Sequence, residues 1–347
     1  MIHKIADYRE MKYDILFVTT IPAFYKVNLF NRIADRKKIL VLYTGSNTGK
    51  RSNDFLQETV AFDHQFLDGG VKSISQVMRV LVANRYSKVV ISGWDNVASY
   101  VIAFLSRKKR NSCIVESSIY ESATKGWKAF PKKILLKRMS TVLASGEAQA
   151  ELVSSLGFKG EVVKFGGCGI LNYVEQPSYE PRSEIRDFLY VGQLIDVKNV
   201  SLLVKYFNRH PEKHLTIIGT GVLREVLEKE AGCNIKFLGA INNMELPEYY
   251  RKADVFVLPS KSEPWGLVVE EALNNGTPVI VSDRVGCATS LVVPNGTGLV
   301  FKNDDLESFD KCVDEITNIE CYNLLRLNVS KLNFAQRAEY QVECFCN

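Results

Sequence analysis

Two carboxylates, Glu263 and Glu271, stand eight positions apart in the stretch from Ser260 to Asp283. Between them Pro264, Trp265 and Gly266 bend the chain, and Leu267 opens an apolar run that reads as a helix. The first amides of such a helix lack intrahelical partners and, with the helix dipole, form a seat for a phosphate. Glu263 belongs beside that seat, and Glu271 one turn inside the helix on the face of Leu267. A loop carboxylate, an amide cradle and a helix carboxylate together suit a ligand made of a sugar, a diphosphate and a ribose. Glu270 points about 100° away around the helix and reads as structural.

The elements that must hold these groups are legible on both sides. Strand-like Asp254–Leu258 precedes the loop, and strand-like Pro278–Ser282 follows the helix after Gly276. The loop therefore lies at the carboxyl end of a strand, where open α/β sheets bind ligands. Upstream, Tyr190-Val-Gly192-Gln193-Leu194 has the form of a strand ending in a glycine turn, with Lys198 shortly after it. Gly219 and Gly221 make a second strand-to-helix turn, suited either to a nucleotide or to close packing.

In order, Tyr190–Leu194 with Lys198-Asn199, Ile217–Gly221, Phe237-Leu-Gly239, Tyr249-Tyr250, Ala253–Phe256, Pro259-Ser260, the Glu263/Glu271 pair and Gly296-Thr-Gly298 span residues 188 to 301. This run resembles the family 4 glycosyltransferases, whose signature is E-x7-E. The resemblance implies the GT-B fold: α/β, two Rossmann-like parallel-sheet domains facing across a cleft, with the C-terminal helix returning to the first. It implies transfer of a sugar from a nucleotide-diphosphate donor to an acceptor hydroxyl with retained anomeric configuration. Lys198 matches the family's phosphate lysine, and the amides of Gly266 and Leu267 would face the diphosphate. Glu263 would hold donor-sugar hydroxyls and Glu271 the ribose, with Gly192, Gly219, Gly221 and Trp265 also on the donor side. Where the family commonly has an arginine, this chain has Gln193, which brings no charge. No Asp-x-Asp stands in a suitable loop, so metal-independent catalysis without a cofactor is expected.

The first half departs further from the family. Its first loop, Thr20 to Lys26, has no glycine, and residues 65 to 209 contain no histidine. The loop is similar instead to the Pro-x-x-Tyr variant of polysaccharide-assembly members, which assigns Pro22 and Tyr25 to the acceptor side. Strands are expected at Ile15–Thr19, Ile39–Tyr43, Lys88–Ser92, Asn111–Glu116, Thr141–Ala144 and Val162–Phe165, alternating with helices as in a parallel sheet. Glu116 ends one of these strands and Asp95 follows another, so both should face the cleft, as acceptor ligands or stabilisers of positive charge; capping is the alternative for Asp95 and a buried turn for Glu116. Trp94 beside Asp95 could stack on the acceptor or pack in the core.

At 347 residues two domains are expected, divided as 1–172 and 173–325 with a terminal helix 326–347 packed on the first. Residues 171 to 186, rich in proline and serine, read as the linker. From Met1 to Asn172 there are 26 Lys and Arg against 14 Asp and Glu; the remainder has 18 against 25. This basic first half suits an anionic membrane surface better than nucleic acid, since its basic runs carry no interleaved stacking aromatics. Eight scattered cysteines and ungrouped His3, His64, His210 and His214 give no zinc pattern and fit free thiols in the cytoplasm. The polar segment Met1–Met11 is not a secretory signal, and no apolar run reaches the length of a bilayer span. The expected protein is a cytoplasmic enzyme, peripheral at the inner membrane face, that adds a hexose-type sugar to a glycan, expected to be lipid-linked, in cell-surface polysaccharide synthesis. A GT-B nucleotide-sugar epimerase and a catalytically impaired nucleotide-sugar-binding protein are the alternatives.

Overall fold

The computed structural model describes residues 11–45, 59–68, 70 and 72–347. His3 and the segment before Met11 lie outside the described residues. The chain divides into two compact units. The first comprises the described residues up to Ser145 together with Gln149–Ile170 and Ala338–Asn347; the second comprises Gly146–Ala148 and Leu171–Arg337.

In the first unit the strands are β1 (Met11–Thr19), β2 (Ile39–Tyr43), β3 (Asp63–Phe66), β4 (Asn84–Ser92), β5 (Asn111–Val115), β6 (Thr141–Ala144) and β7 (Glu161–Lys164). They form one sheet in the order β3-β2-β1-β4-β5-β6-β7, parallel throughout. The second unit contains β8 (Asp187–Val191), β9 (His214–Ile218), β10 (Ile235–Gly239), β11 (Val255–Leu258), β12 (Val279–Ser282) and β13 (Gly298–Phe301). Their order is β10-β9-β8-β11-β12-β13, again parallel. Every residue of β2, β5, β11 and β12 is buried, as expected for strands covered by helices on both faces.

Within each sheet the strand order reverses once, between β1 and β4 in the first unit and between β8 and β11 in the second. At such a reversal the two flanking loops diverge to opposite faces and leave a crevice at the carboxyl ends of the strands. The loops that follow β1, β4, β8 and β11 therefore carry the candidate chemistry.

Two sequence expectations need correction. Residues 326–337, expected with the terminal helix on the first domain, belong to the second unit. Helix Ile319–Ser330 buries Tyr322, Leu325 and Val329, and the Tyr322 hydroxyl donates to the Asp254 carbonyl at 2.8 Å. Only from Ala338 does helix Phe334–Cys346 join the first unit, where Phe345 packs against Phe17 and Phe165. The sequence reading also lacked β3 and helix Lys72–Ala83. β3 reads Asp-His-Gln-Phe and is largely exposed at the sheet edge, so it shows no apolar run.

Candidate active site

The second unit gathers its groups at the crevice between β8 and β11. After β8 the chain turns at Gly192, passes Gln193, and makes a 3₁₀ turn over Asp196–Lys198. Asn199, left-handed at φ 55°, then starts helix Val200–Phe207. After β11 the chain runs through Pro259 to Gly266. These two loops are tied together: the Lys261 amide donates to the Val197 carbonyl at 2.8 Å, and Lys261 Nζ meets Asp196 Oδ1 at 2.8 Å. Between those ties Lys198 Nζ bonds Glu263 Oε2, with both side chains largely shielded from solvent.

A third loop braces Glu263 from the other side. The Glu263 amide donates to Arg284 O at 3.1 Å, Gly286 N to Glu263 O at 2.9 Å, and Cys287 N to Trp265 O at 2.9 Å. The backbone thus fixes where the carboxylate projects, which a loop on its own would not do. Gly266 then reverses the chain at φ 103°, and a Cβ there would stand 3.1 Å from Val285 Cγ1. Helix Leu267–Asn274 begins at once, with no side chain capping it. Its first amides are consequently available to an anion beside Lys198.

The remaining donor-side candidates have varied surroundings. Gln193 is exposed, and its carbonyl accepts from the buried Tyr190 hydroxyl at 2.9 Å. Gly219 and Gly221 have a packing reason to be glycine: a Cβ at Gly219 would stand 1.8 Å from Gly192 O, and one at Gly221 2.3 Å from Leu194 O. Glu271 is half-buried and accepts from the Tyr250 hydroxyl at 2.8 Å. Burial pushes its carboxyl up to about 7, against the opposing Tyr250 hydrogen bond.

Trp265 is corrected outright. It is buried rather than open to a donor, and its indole Nε1 donates to Glu270 Oε2 at 3.1 Å. Glu270 is fully buried; burial pushes its carboxyl up to about 7, although Arg337, 3.8 Å away, favours the charged form. Sequence reading rightly made Glu270 structural but missed this partnership. The available signal was that Val269, Ala272 and Leu273 surround it with apolar positions on several helix faces, so a solvent face was not to be expected there.

In the first unit the crevice between β1 and β4 holds an ion pair that the sequence reading missed. Lys26, on helix Phe24–Ala34, is buried and reaches Glu116 Oε2 at 2.9 Å and Ser92 Oγ at 3.2 Å. These partners end β4 and follow β5. The pair holds Glu116 at the carboxyl edge of the sheet, and Gln149 Nε2 donates to its carbonyl at 3.3 Å. Tyr25 is half-buried, its carbonyl accepting from Ile170 N at 2.9 Å, and Pro22 lies in the partly exposed turn before the helix.

For Asp95 and Trp94 one of the two open readings falls away: capping for the first and stacking on the acceptor for the second. Asp95 is exposed and does not cap the next helix; Asn96 does so, accepting from Ser99 N at 2.8 Å. Trp94 is buried in the first unit's core, and Lys132 Nζ lies 5.3 Å from its ring centre, so it is no open stacking platform.

Residues 175–331 match the family model described as glycosyl transferases group 1. The sulfoquinovosyl transferase SQD2 of Arabidopsis thaliana is 34% identical over 135 residues, which are 38% of this chain and 26% of that protein. The O-antigen biosynthesis glycosyltransferase WbnH of Escherichia coli is 35% identical over 135 residues, 38% of each chain. These matches therefore span well under half the length of either relative. The solved structure of Anabaena HepE in complex with UDP superposes with a TM-score of 0.70 at 14% identity, covering 96% of this chain and 99% of that one. That likeness fixes the fold as the two-domain GT-B arrangement of parallel sheets.

Proposed function

We propose that this chain is a retaining glycosyltransferase of family 4 type that takes a hexose-type sugar from a nucleotide-diphosphate donor. The observation that carries this reading is the Lys198–Glu263 pair beside the uncapped start of helix Leu267–Asn274, at the strand-order reversal of the second unit. A departing diphosphate develops negative charge, and preoriented positive groups are the largest lever on such a step. Lys198 and the first helix amides supply them, so the reading calls for no metal ion. Glu263, fixed by backbone bonds on both sides, takes hydroxyls of the donor sugar, and Glu271 takes the ribose. The UDP bound to HepE and the match to group 1 glycosyl transferases support a nucleotide-sugar donor.

On the acceptor side we assign Glu116, held by Lys26, with Pro22 and Tyr25 nearby in the same unit. The acceptor in this reading is a lipid-linked glycan of a cell-surface polysaccharide, handled at the inner membrane face by a peripheral cytoplasmic protein. The likeness to WbnH and the excess of Lys and Arg in the first half support that part. Among the described residues no helix is long and apolar enough to cross a membrane.

The test is to incubate purified protein with UDP-, GDP- and ADP-sugars and follow nucleotide release. Wild-type protein should turn over one donor class, with Lys198→Ala and Glu263→Gln strongly impaired. Failure of every donor to bind or turn over would remove the assignment.

A further inference from the structure

The amino ends of the first unit's strands, the edge away from Lys26 and Glu116, carry a second feature. There the segments leading into β5, β6 and β7, with helix Phe130–Lys137, enclose a groove of about 510 Å³. Its walls are apolar, from Phe130, Ile134, Leu156 and Phe158, and its rim carries Lys108, Lys133, Lys137 and Lys159. No acidic residue lines it, and none of the four lysines makes an ion pair among the described residues.

Spacing along the helix explains the arrangement. Phe130, Lys133 and Lys137 fall three and four residues apart, so they share a face, while Leu135 and Leu136 turn inward. Phe130 is 64% exposed, and Phe104 and Leu105, at the end of helix Val97–Leu105, are 53% and 54% exposed. Directly after them come the exposed cations Arg107 to Arg110. Large exposed apolar side chains beside exposed cations make a surface suited to an interface that is apolar below and anionic above. Lysine matches that setting, since its stem can lie on apolar matter while the ammonium reaches the phosphate layer.

We infer that this groove and its rim form the docking surface of the first unit for an anionic phospholipid bilayer. The phosphates lie on the lysine rim, and Phe130 with its apolar neighbours enters the acyl boundary. The surface leaves the carboxyl edge of the same sheet, with Lys26 and Glu116, open for substrate. The inference deepens the membrane part of the reading above and rests on it, but not on the glycosyl-transfer chemistry.

The experiment is flotation of the full chain with vesicles of phosphatidylcholine alone and of phosphatidylcholine mixed equally with phosphatidylglycerol. Wild-type protein should float only with the mixed vesicles, and less at high salt. Lys133→Ala combined with Lys137→Ala should lower the partition about 30-fold, at the usual contribution of each surface lysine. Phe130→Ala should lower it roughly tenfold at unchanged charge, through loss of apolar insertion. Partition unchanged in both variants would overturn the inference. So would binding to heparin or a single-stranded oligonucleotide that depends on the lysines but not on Phe130. Nucleotide release measured on the same preparations reports the enzyme assignment separately, so either reading can fail alone.

Discussion

Lys198 and Glu263 pair with each other, and on the proposed reading a diphosphate competes with the carboxylate for the ammonium. On that reading Lys198 acts in the charge-developing step as well as in binding. Lys198→Ala should lower turnover by roughly 10²–10³ with a smaller change in KM, measured by steady-state nucleotide release. An effect on KM alone, with turnover unchanged, would assign it to ground-state binding instead. Lys26 poses a different problem, because removing it leaves Glu116 partly buried without its cation. Lys26→Met should cost about 2 kcal/mol, less than a fully buried pair because Glu116 keeps some contact with water. Glu116→Gln placed in the same background should recover part of that loss in urea unfolding. Glu263 and Lys198 stood out as candidates through the strand–loop–helix context and the family resemblance, since a polar loop residue on its own is as readily a solvated one. Lys26 was hidden because a lysine in an amphipathic helix ordinarily faces water, and only the β1–β4 crevice reveals its direction.

At the scale of the element, the stretch Trp265–Glu271 works as one device. Gly266 turns the chain at φ 103°, a region where a side chain is strained, and its surroundings leave little room for a Cβ. Gly266→Ala should therefore cost about 1–3 kcal/mol and raise the donor KM, as read by calorimetry and kinetics on one preparation. Behind the turn, Glu270 anchors the Trp265 indole from a fully buried position. Its carboxyl titrates near 7 in the folded protein against an ordinary 4.5, so the folded state binds the proton more tightly than the unfolded chain. Stability from this group is then full below about 4.5 and is lost as pH rises toward about 7. Glu270→Gln keeps an acceptor for the indole but cannot ionise. The thermal midpoint of that variant relative to wild type should climb through this window, and a pH-independent difference would refute a buried, proton-binding Glu270. The helix itself was readable from its apolar run and from Gly266 and Gly276 at its ends. The anchor was not, because sequence spacing says nothing of where Trp265 turns. An exposed edge strand such as β3 escaped for a related reason: with little to bury, it has no periodicity to read.

The whole molecule repeats one solution twice. Each unit is a parallel sheet whose strand order reverses once, and each reversal carries a lysine–carboxylate pair at its carboxyl edge: Lys26–Glu116 in one, Lys198–Glu263 in the other. Alternating apolar runs and helical stretches made the parallel sheets predictable, since a strand buried on both faces must read as continuously apolar. The identity of the reversal points was not predictable in the same way, because strand order depends on contacts distant in sequence. The charge division adds an asymmetry between the halves that the fold does not require, with 26 cations in the first 172 residues and 18 in the rest. If the second unit alone holds the donor's diphosphate, nucleotide should protect a short and specific set of amides. Hydrogen exchange with UDP, GDP or ADP should slow Leu267 and Val268, whose amides start an uncapped helix, together with the Gln193–Lys198 loop. At about 100 times its dissociation constant the right nucleotide should also add about 2.7 kcal/mol of stability. Stabilisation without protection at Leu267 would move the diphosphate to another site, and protection there in Lys198→Ala at undiminished affinity would separate the amide cradle from the ammonium.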